Sequence, residues 1–417
     1  MSEHPGTNFR HRTLEPRYQR TSVPNLRKRR ARQRKPPSDF LEFWILEFLS
    51  SSILPRNGRI AKRHKTMILP ETYSSALLLI ILSMLCWGSW ANTFKLTGKP
   101  AGKWRFELFY YDYSVGVLVA AIIAAYTFGS MGSELSFSDN LLVAGKRNMA
   151  YAVAGGMVFN LANMLLVAAI SVAGLAVAFP VGIGLALVLG VIWNYFLNPQ
   201  GNPTLLAAGV TLVMCAIIVD ALAYTAHAKP AKSAAPSGRG RSKLPTSRKG
   251  IMLSLISGVL MGSFYPLVEM SKGGGVDAAG LGPYAVAFLF SLGVFFSTFI
   301  YNLYFLNLPV EGEPLSMFAY FKGTLGQHAL GIIGGIIWCT GAIANFVAAS
   351  APNKVQVGPA ISYAIGQGAT MVSALWGVLV WKEFAGARTN VRILLTLMFI
   401  LFLAGLMLVA IAPLYVR

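Results

Sequence analysis

Gly155-Gly-Met-Val-Phe-Asn-Leu-Ala-Asn-Met-Leu-Leu-Val-Ala-Ala169 and Gly334-Gly-Ile-Ile-Trp-Cys-Thr-Gly-Ala-Ile-Ala-Asn-Phe-Val-Ala348 are two apolar segments written to one template. Placed 179 positions apart without a gap, Gly155, Gly156, Ala169, Ser171 and Pro180 fall on Gly334, Gly335, Ala348, Ser350 and Pro359, identical in each pair. The match points to an internal duplication. In an all-helical membrane chain, duplication is the pattern of secondary transporters, whose two repeats enclose a substrate site near the bilayer midplane.

Composition places the chain in lipid. Of its 417 residues, 55% are hydrophobic and 12% charged, against about a quarter charged in an ordinary soluble globule. The apolar runs last about 20 residues instead of alternating over ten, so the spans read as helices and not as barrel strands. They lie near 73–94, 107–128, 148–169, 173–196 and 203–226, then 250–271, 281–305, 326–349, 355–381 and 390–412. The expected fold is an all-α integral membrane bundle of ten transmembrane helices in two five-helix repeats. An odd number of spans per repeat makes the second enter from the opposite side, which gives inverted topology and suits alternating access. Small residues Gly182, Ala186 and Gly190 in the fourth span, and Gly358, Gly366 and Gly377 in the ninth, let helix backbones approach closely.

Four segments follow: an extension 1–66, a first repeat 67–228, a linker 229–249 and a second repeat 250–417. The linker is rich in Lys, Arg, Ser, Gly and Pro and reads as flexible and solvated. The extension carries 16 Lys and Arg against 5 Asp and Glu and reads as a basic, disordered tail. No aromatic interleaving or nucleic-acid module accompanies it, so nucleic acid is not an expected partner. Met67 stands directly before the first span, and the extension is open to reading as a start-site artefact. Counted from Met67, the face holding the linker collects 15 basic residues and the opposite face 5, which puts the linker in the cytoplasm.

Enzyme signatures are not visible: there is no GxSxG, HExxH or phosphate-binding GxxxxGK[ST] sequence. Cys86, Cys215 and Cys339 all fall within spans and the five histidines are scattered, so neither a disulfide framework, a metal site nor a cofactor is expected.

Function must then rest on polar groups at membrane depth, where charge is costly and is paired or faces an aqueous cavity. Tyr265, Glu269 and Lys272 share one stripe of the sixth span, with Glu269 and Lys272 close enough to pair; the alternative is snorkelling at the span's end. Asn160 and Asn163 share a face of the third span, and Gln356, Tyr363 and Gln367 one of the ninth. Their amides and phenol suit a polar uncharged solute, or else bond helix to helix. Trp87 and Trp90 are placed to stack on a ring or to sit in an aromatic belt, with Asn92 and Lys95 at the boundary. Trp87, Trp90, Asn92, Asn160, Asn163, Tyr265, Asn345, Tyr363 and Gln367 form the candidate substrate set. Glu269, Lys272, Asp112 and Asp220 are the candidates for ion coupling.

Tyr111-Asp-Tyr-Ser114, the run Leu118 to Gly129, Ala154-Gly-Gly156, Asn194-Tyr-Phe-Leu197, Pro283-Tyr284 and Trp376-Gly-Val-Leu-Val-Trp-Lys-Glu-Phe384 together resemble the ureide permease family of the drug/metabolite transporter superfamily. They are also similar to the bacterial glucose/ribose and rhamnose porters. The resemblance covers both halves, roughly 73–412. It implies a central cavity between repeats and proton-coupled uptake of small polar solutes such as allantoin, uracil or other oxo-derivatives of nitrogen heterocycles, with sugars as a second class. It also implies that plant members carry a long central loop where this chain has the short basic linker, which points to a bacterial-type member in an inner or plasma membrane. Export of amphiphilic compounds, and a sensor or scaffold using the same fold, stay open as alternatives. A homodimer is compatible with such a bundle.

Overall fold

The computed structural model describes residues 68–98, 104–131, 135–173, 175–233, 248–273, 280–309, 313–351, 355 and 357–415. The extension 1–66, most of the linker and Gln356 lie outside the described residues.

Helices begin where capping chemistry allows. Thr72 caps α1 (Tyr73–Ser89) through a reciprocal capping box with Ser75, and Thr324 caps α10 (Leu325–Ala349) with Gln327 in the same way, so two orphan donors are satisfied at each start. α9 (Pro283–Asn307) and α11 (Pro359–Gly366) both open on a proline at the first position, where its missing N–H costs nothing. The other long helices are α3 (Phe106–Tyr126), α5 (Lys146–Ala173), α6 (Leu175–Leu197), α7 (Pro203–Ser233), α8 (Arg248–Lys272) and α13 (Thr389–Ile411). α2 (Ala91–Leu96) completes the first span and α12 (Ala369–Leu375) continues the ninth.

Among the described residues nine helices are long and apolar enough to cross a membrane, and the described apolar part of α6, Val181–Leu197, is shorter. No strand occurs among them. Three features depart from the sequence expectation. The ninth span is broken at Gly366–Gly368 and ends in a π turn, Trp376–Val380, where the Trp381 N–H reaches back to Trp376 O at 3.0 Å. α7 runs on to Ser233, into the segment read as linker. Short elements between spans, α4 (Phe137–Val143) and the 3₁₀ turn Met317–Lys322, carry too little apolar periodicity to stand out in a search for 20-residue runs.

Packing pairs the two halves reciprocally. α5 lies on α8 and α9; α10 lies on α1 and α3. α6 lies on α8, as α11 and α12 lie on α1. α7 packs on α13, where a Cβ on Gly209 would meet Gly405 O at 2.7 Å and one on Gly405 would meet Gly209 O at 2.8 Å. Lipid provides no hydrophobic drive between helices, so close backbone approach at small residues carries this association. The template glycines do it directly. A Cβ on Gly156 would strike the Phe290 carbonyl of α9, and one on Gly335 the Tyr113 carbonyl of α3. The small stripe of the fourth span is used in the same way: Gly182 O lies 2.7 Å and Ala186 O 3.1 Å from Cβ positions on Gly258 and Gly262 of α8.

Contacts between helix termini define two ends. The terminal end holds Ile68 and Tyr415, bonded to Tyr284 and Asn202. The linker end holds the C-terminus of α7 and the N-terminus of α8.

Candidate functional site

At the centre, Phe159 of α5 and Trp338 of α10 occupy matched positions of the two templates and stack at 4.3 Å. Trp338 also stacks on Phe290 at 5.9 Å and on Trp87 at 6.0 Å. Trp87 therefore packs inside the bundle, not in a lipid-facing belt, and its ring N–H has no partner among the described residues. Trp90 lies against Tyr113 at 5.1 Å. Offset aromatic contacts of this kind contribute about 0.5–1.5 kcal/mol each beyond area.

Beside the aromatic stack lies a polar knot. Asn345 is fully buried. Its Oδ1 accepts from the Tyr265 hydroxyl at 2.5 Å and from Ser362 Oγ at 2.9 Å, and its Nδ2 donates to Ser83 Oγ and to Ser362 O, both at 3.2 Å. Four spans meet on one amide. Tyr363 closes the knot, donating to Met261 O at 3.2 Å and Ala186 O at 3.3 Å, with its ring 5.3 Å from that of Tyr265.

One turn beyond Tyr265, Glu269 accepts through Oε1 from Lys272 at 2.6 Å, the pairing expected from their spacing. Lys272 also approaches Phe346 O at 3.4 Å, and the Phe346 ring lies 5.8 Å from Tyr265. Glu269 and Lys272 line a cavity of about 410 Å³ at the terminal end, with Asn140, Asn198, Gln200 and Ser350 among its other walls. That volume falls in the range of small-molecule sites.

The remaining expected residues go elsewhere. Asn160 donates to Ser297 Oγ at 2.9 Å, Thr298 Oγ1 at 3.0 Å and Val294 O at 3.2 Å, and so ties α5 to α9. Asn163 is buried one turn from Phe159, its Nδ2 without a partner among the described residues. Gln367 caps α11 at the break in the ninth span. Asn92 sits at the linker end, accepting from Trp381 Nε1 at 2.6 Å. Lys95 pairs there with Glu383, whose other oxygen accepts from Tyr224 at 3.0 Å. Asp220 is buried one turn before Tyr224 on α7.

Asp112 is 3% exposed and bridges the two halves. Tyr320 of the 3₁₀ turn donates to its Oδ1 at 2.5 Å, and His328 Nδ1 meets its Oδ2 at 2.8 Å. Burial and the bond to Asp112 push the Tyr320 hydroxyl well above the ordinary tyrosine range, so it stays a donor. Tyr320, His328, Trp338, Ser362 and Glu383 escaped the sequence reading. Only Glu383 carried a signal, as the acidic residue of the Trp376 to Phe384 motif.

The profile of the ureide permease family matches residues 109–249 and 243–412, spans that include Tyr265, Asn345, Ser362 and Tyr363 of the knot, the Asp112 bridge and the Glu269–Lys272 pair. The chain belongs to the ureide permease family. Among its relatives, ureide permease 2 of Arabidopsis thaliana is 25% identical over 402 residues, covering 81% of this chain and 97% of that protein. Ureide permease 1 of the same plant is 24% identical with the same coverage, and ureide permease 5 is 21% identical. Family membership and the run of apolar helices make the chain an integral multi-pass membrane protein, a permease and not an enzyme.

Proposed function

We propose that the protein is a secondary transporter for small, polar, nitrogen-rich metabolites of the ureide and oxo-heterocycle type. The family match carries the reading, and the terminal-end cavity gives it a chemical form. A ureide presents alternating N–H and C=O groups. Glu269 supplies acceptors, Lys272 donors, and Asn198 and Gln200 both, while the Asn140 amide holds Gly280 O and Gly282 N in the cavity wall.

Alternating access is the mechanism proposed for this bundle. The reciprocal contacts at Gly156 and Gly335, at Gly209 and Gly405, and between Phe159 and Trp338 support two inverted repeats of five helices, the arrangement of the drug/metabolite transporter superfamily. Proton coupling belongs to the same proposal, with Glu269, Lys272, Asp112 and Asp220 as its candidates. Sugars are the second ligand class, because a cavity with both donors and acceptors also suits hydroxyl groups.

Purified protein in liposomes should take up radiolabelled allantoin saturably, with unlabelled uracil competing and glucose not. Glucose competition without uracil competition would move the substrate to sugars, and allantoin binding without flux would make the protein a sensor. Sidedness has a separate check. With the linker in the cytoplasm of a bacterial or plant cell, Ser237→Cys should resist an impermeant maleimide in intact cells and react after permeabilisation; ready labelling in intact cells inverts the orientation.

A further inference from the structure

Among the described residues, the Asp112 bridge joins three elements through side chains alone. Asp112 stands on the second turn of α3. His328 stands on the first turn of α10, and Tyr320 on the turn that precedes it. Close approach is built in: a Cβ on Gly331 would strike the Asp112 side chain, and one on Gly323 would lie 2.6 Å from His328 Nε2 and 2.5 Å from the Trp104 ring. The His328 ring packs edge-on against Tyr320 at 4.6 Å and Trp104 at 5.6 Å.

A carboxylate only accepts, so both Asp112 oxygens are served by donors, Tyr320 O–H and His328 Nδ1–H. That places the lone pair of the neutral imidazole on Nε2, beside Gly323. The His328 side chain is 22% exposed, so the ring is not sealed off at the linker end. Other charged groups nearby are committed or turned outward: the Glu107 carboxylate is held by Arg105 at 2.5 Å, and Lys322 is exposed. Tyr111, on the same helix as Asp112, packs its ring on Tyr320 at 5.5 Å.

We propose that His328 and Asp112 form a proton-binding site at the linker end, separate from Glu269, and that its occupancy decides whether that end opens. A proton added at Nε2 makes an imidazolium, and its bond to the Asp112 carboxylate, already assisted by the charge of the acceptor, becomes an ion pair with charge on both partners. The pair is then also neutral overall, which membrane depth favours. Acid on the linker side clamps the Tyr320 turn and α10 onto α3. Loss of that proton to the same solution leaves Asp112 ionised between two neutral donors and loosens the end. The proposal rests on the alternating-access reading above.

Allantoin exchange at equal pH on both sides of a proteoliposome membrane tests it without any driving gradient. Wild type should exchange about tenfold more slowly at pH 5.5 than at pH 8. His328→Gln, which keeps a donor toward Asp112 but cannot take the proton, should vary less than twofold over that range. His227→Gln, a control at the same end of the bundle, should keep the wild-type profile. Tyr320→Phe keeps the ring packing and should exchange faster than wild type at pH 5.5 while still responding to pH; this variant decides the matter if His328→Gln does not fold. A wild-type profile in His328→Gln, or wild-type exchange at pH 5.5 in Tyr320→Phe, overturns the proposal. Absence of allantoin exchange in wild type at every pH would instead defeat the transport reading.

Discussion

Asn345→Ala should abolish uptake, with a fall of at least about a hundredfold, and should lower stability by about 2–5 kcal/mol. The Asn345 amide accepts from Tyr265 and Ser362 and donates to Ser83 and to the Ser362 backbone, so its removal takes a partner from three buried hydroxyls: Tyr265 loses its acceptor at about 1–3 kcal/mol, Ser83 loses its donor, and Ser362 Oγ keeps the Asn345 backbone oxygen at 3.3 Å. These hydroxyls position the first, sixth and ninth spans beside the aromatic stack, below the cavity that holds Glu269. The effect should be strongly non-additive. Tyr265→Phe made in the Asn345→Ala background should cost little more than the single variant, because its partner is already gone, whereas in wild type it should cost about 1 kcal/mol. Thermal unfolding of the four proteins in detergent, together with liposome uptake, reads the cycle. Additive losses would mean that the Tyr265 bond to Asn345 contributes nothing.

How much of this could be read from the residues alone follows from what hydropathy and spacing report. A 20-residue apolar window locates a helix that must satisfy its backbone internally, which is why the spans emerged close to their observed bounds. The same window averages over local breaks. It passed across Gly366-Gln-Gly368 and the π turn at Trp376 because those interruptions are stabilised by contacts from other spans, such as Trp376 Nε1 donating to Ser89 Oγ at 2.9 Å. The identity of Gly155, Gly156, Gly334 and Gly335 was legible as two matched segments, but not what Gly156 and Gly335 pack against, since the sequence does not name the facing carbonyl.

Site residues divided along the same line. Glu269 and Lys272 lie on one helix at i and i+3, so their pairing was legible from helical spacing. Asp112 was legible as a costly group, while its partners, Tyr320 and His328, lie more than 200 residues away in another helix and a loop. Nothing local marks such a bridge. Asn160 illustrates the converse. It has the residue type and depth of a ligand-binding amide, and its donors are spent on α9. Chemistry at membrane depth marks where polarity is needed, and only packing tells whether a helix or a solute meets the need.

The glycine template predicts equal and severe effects in the two halves. Gly156→Ala should place a methyl against the carbonyl of Phe290, with Val294 N at 3.1 Å, and Gly335→Ala should place one against the carbonyl of Tyr113, with Val117 N at 2.7 Å. A flexible side chain could turn aside from such a contact, but backbone cannot. Each helix pair must therefore separate, and the separation opens the stack of Phe159 on Trp338 that lies one turn further along both helices. Overpacking in cores costs about 1–3 kcal/mol where side chains can adjust, so each alanine should reach the top of that range or beyond. Gly326→Ala is the control, because its Cβ would meet nothing closer than Thr324 Oγ1 at 4.0 Å. Melting temperatures in detergent should fall together for Gly156→Ala and Gly335→Ala and hold for Gly326→Ala. A large fall in only one of the first two would mean that the halves do not share a packing rule, and the resemblance between their glycine segments would lose its structural meaning.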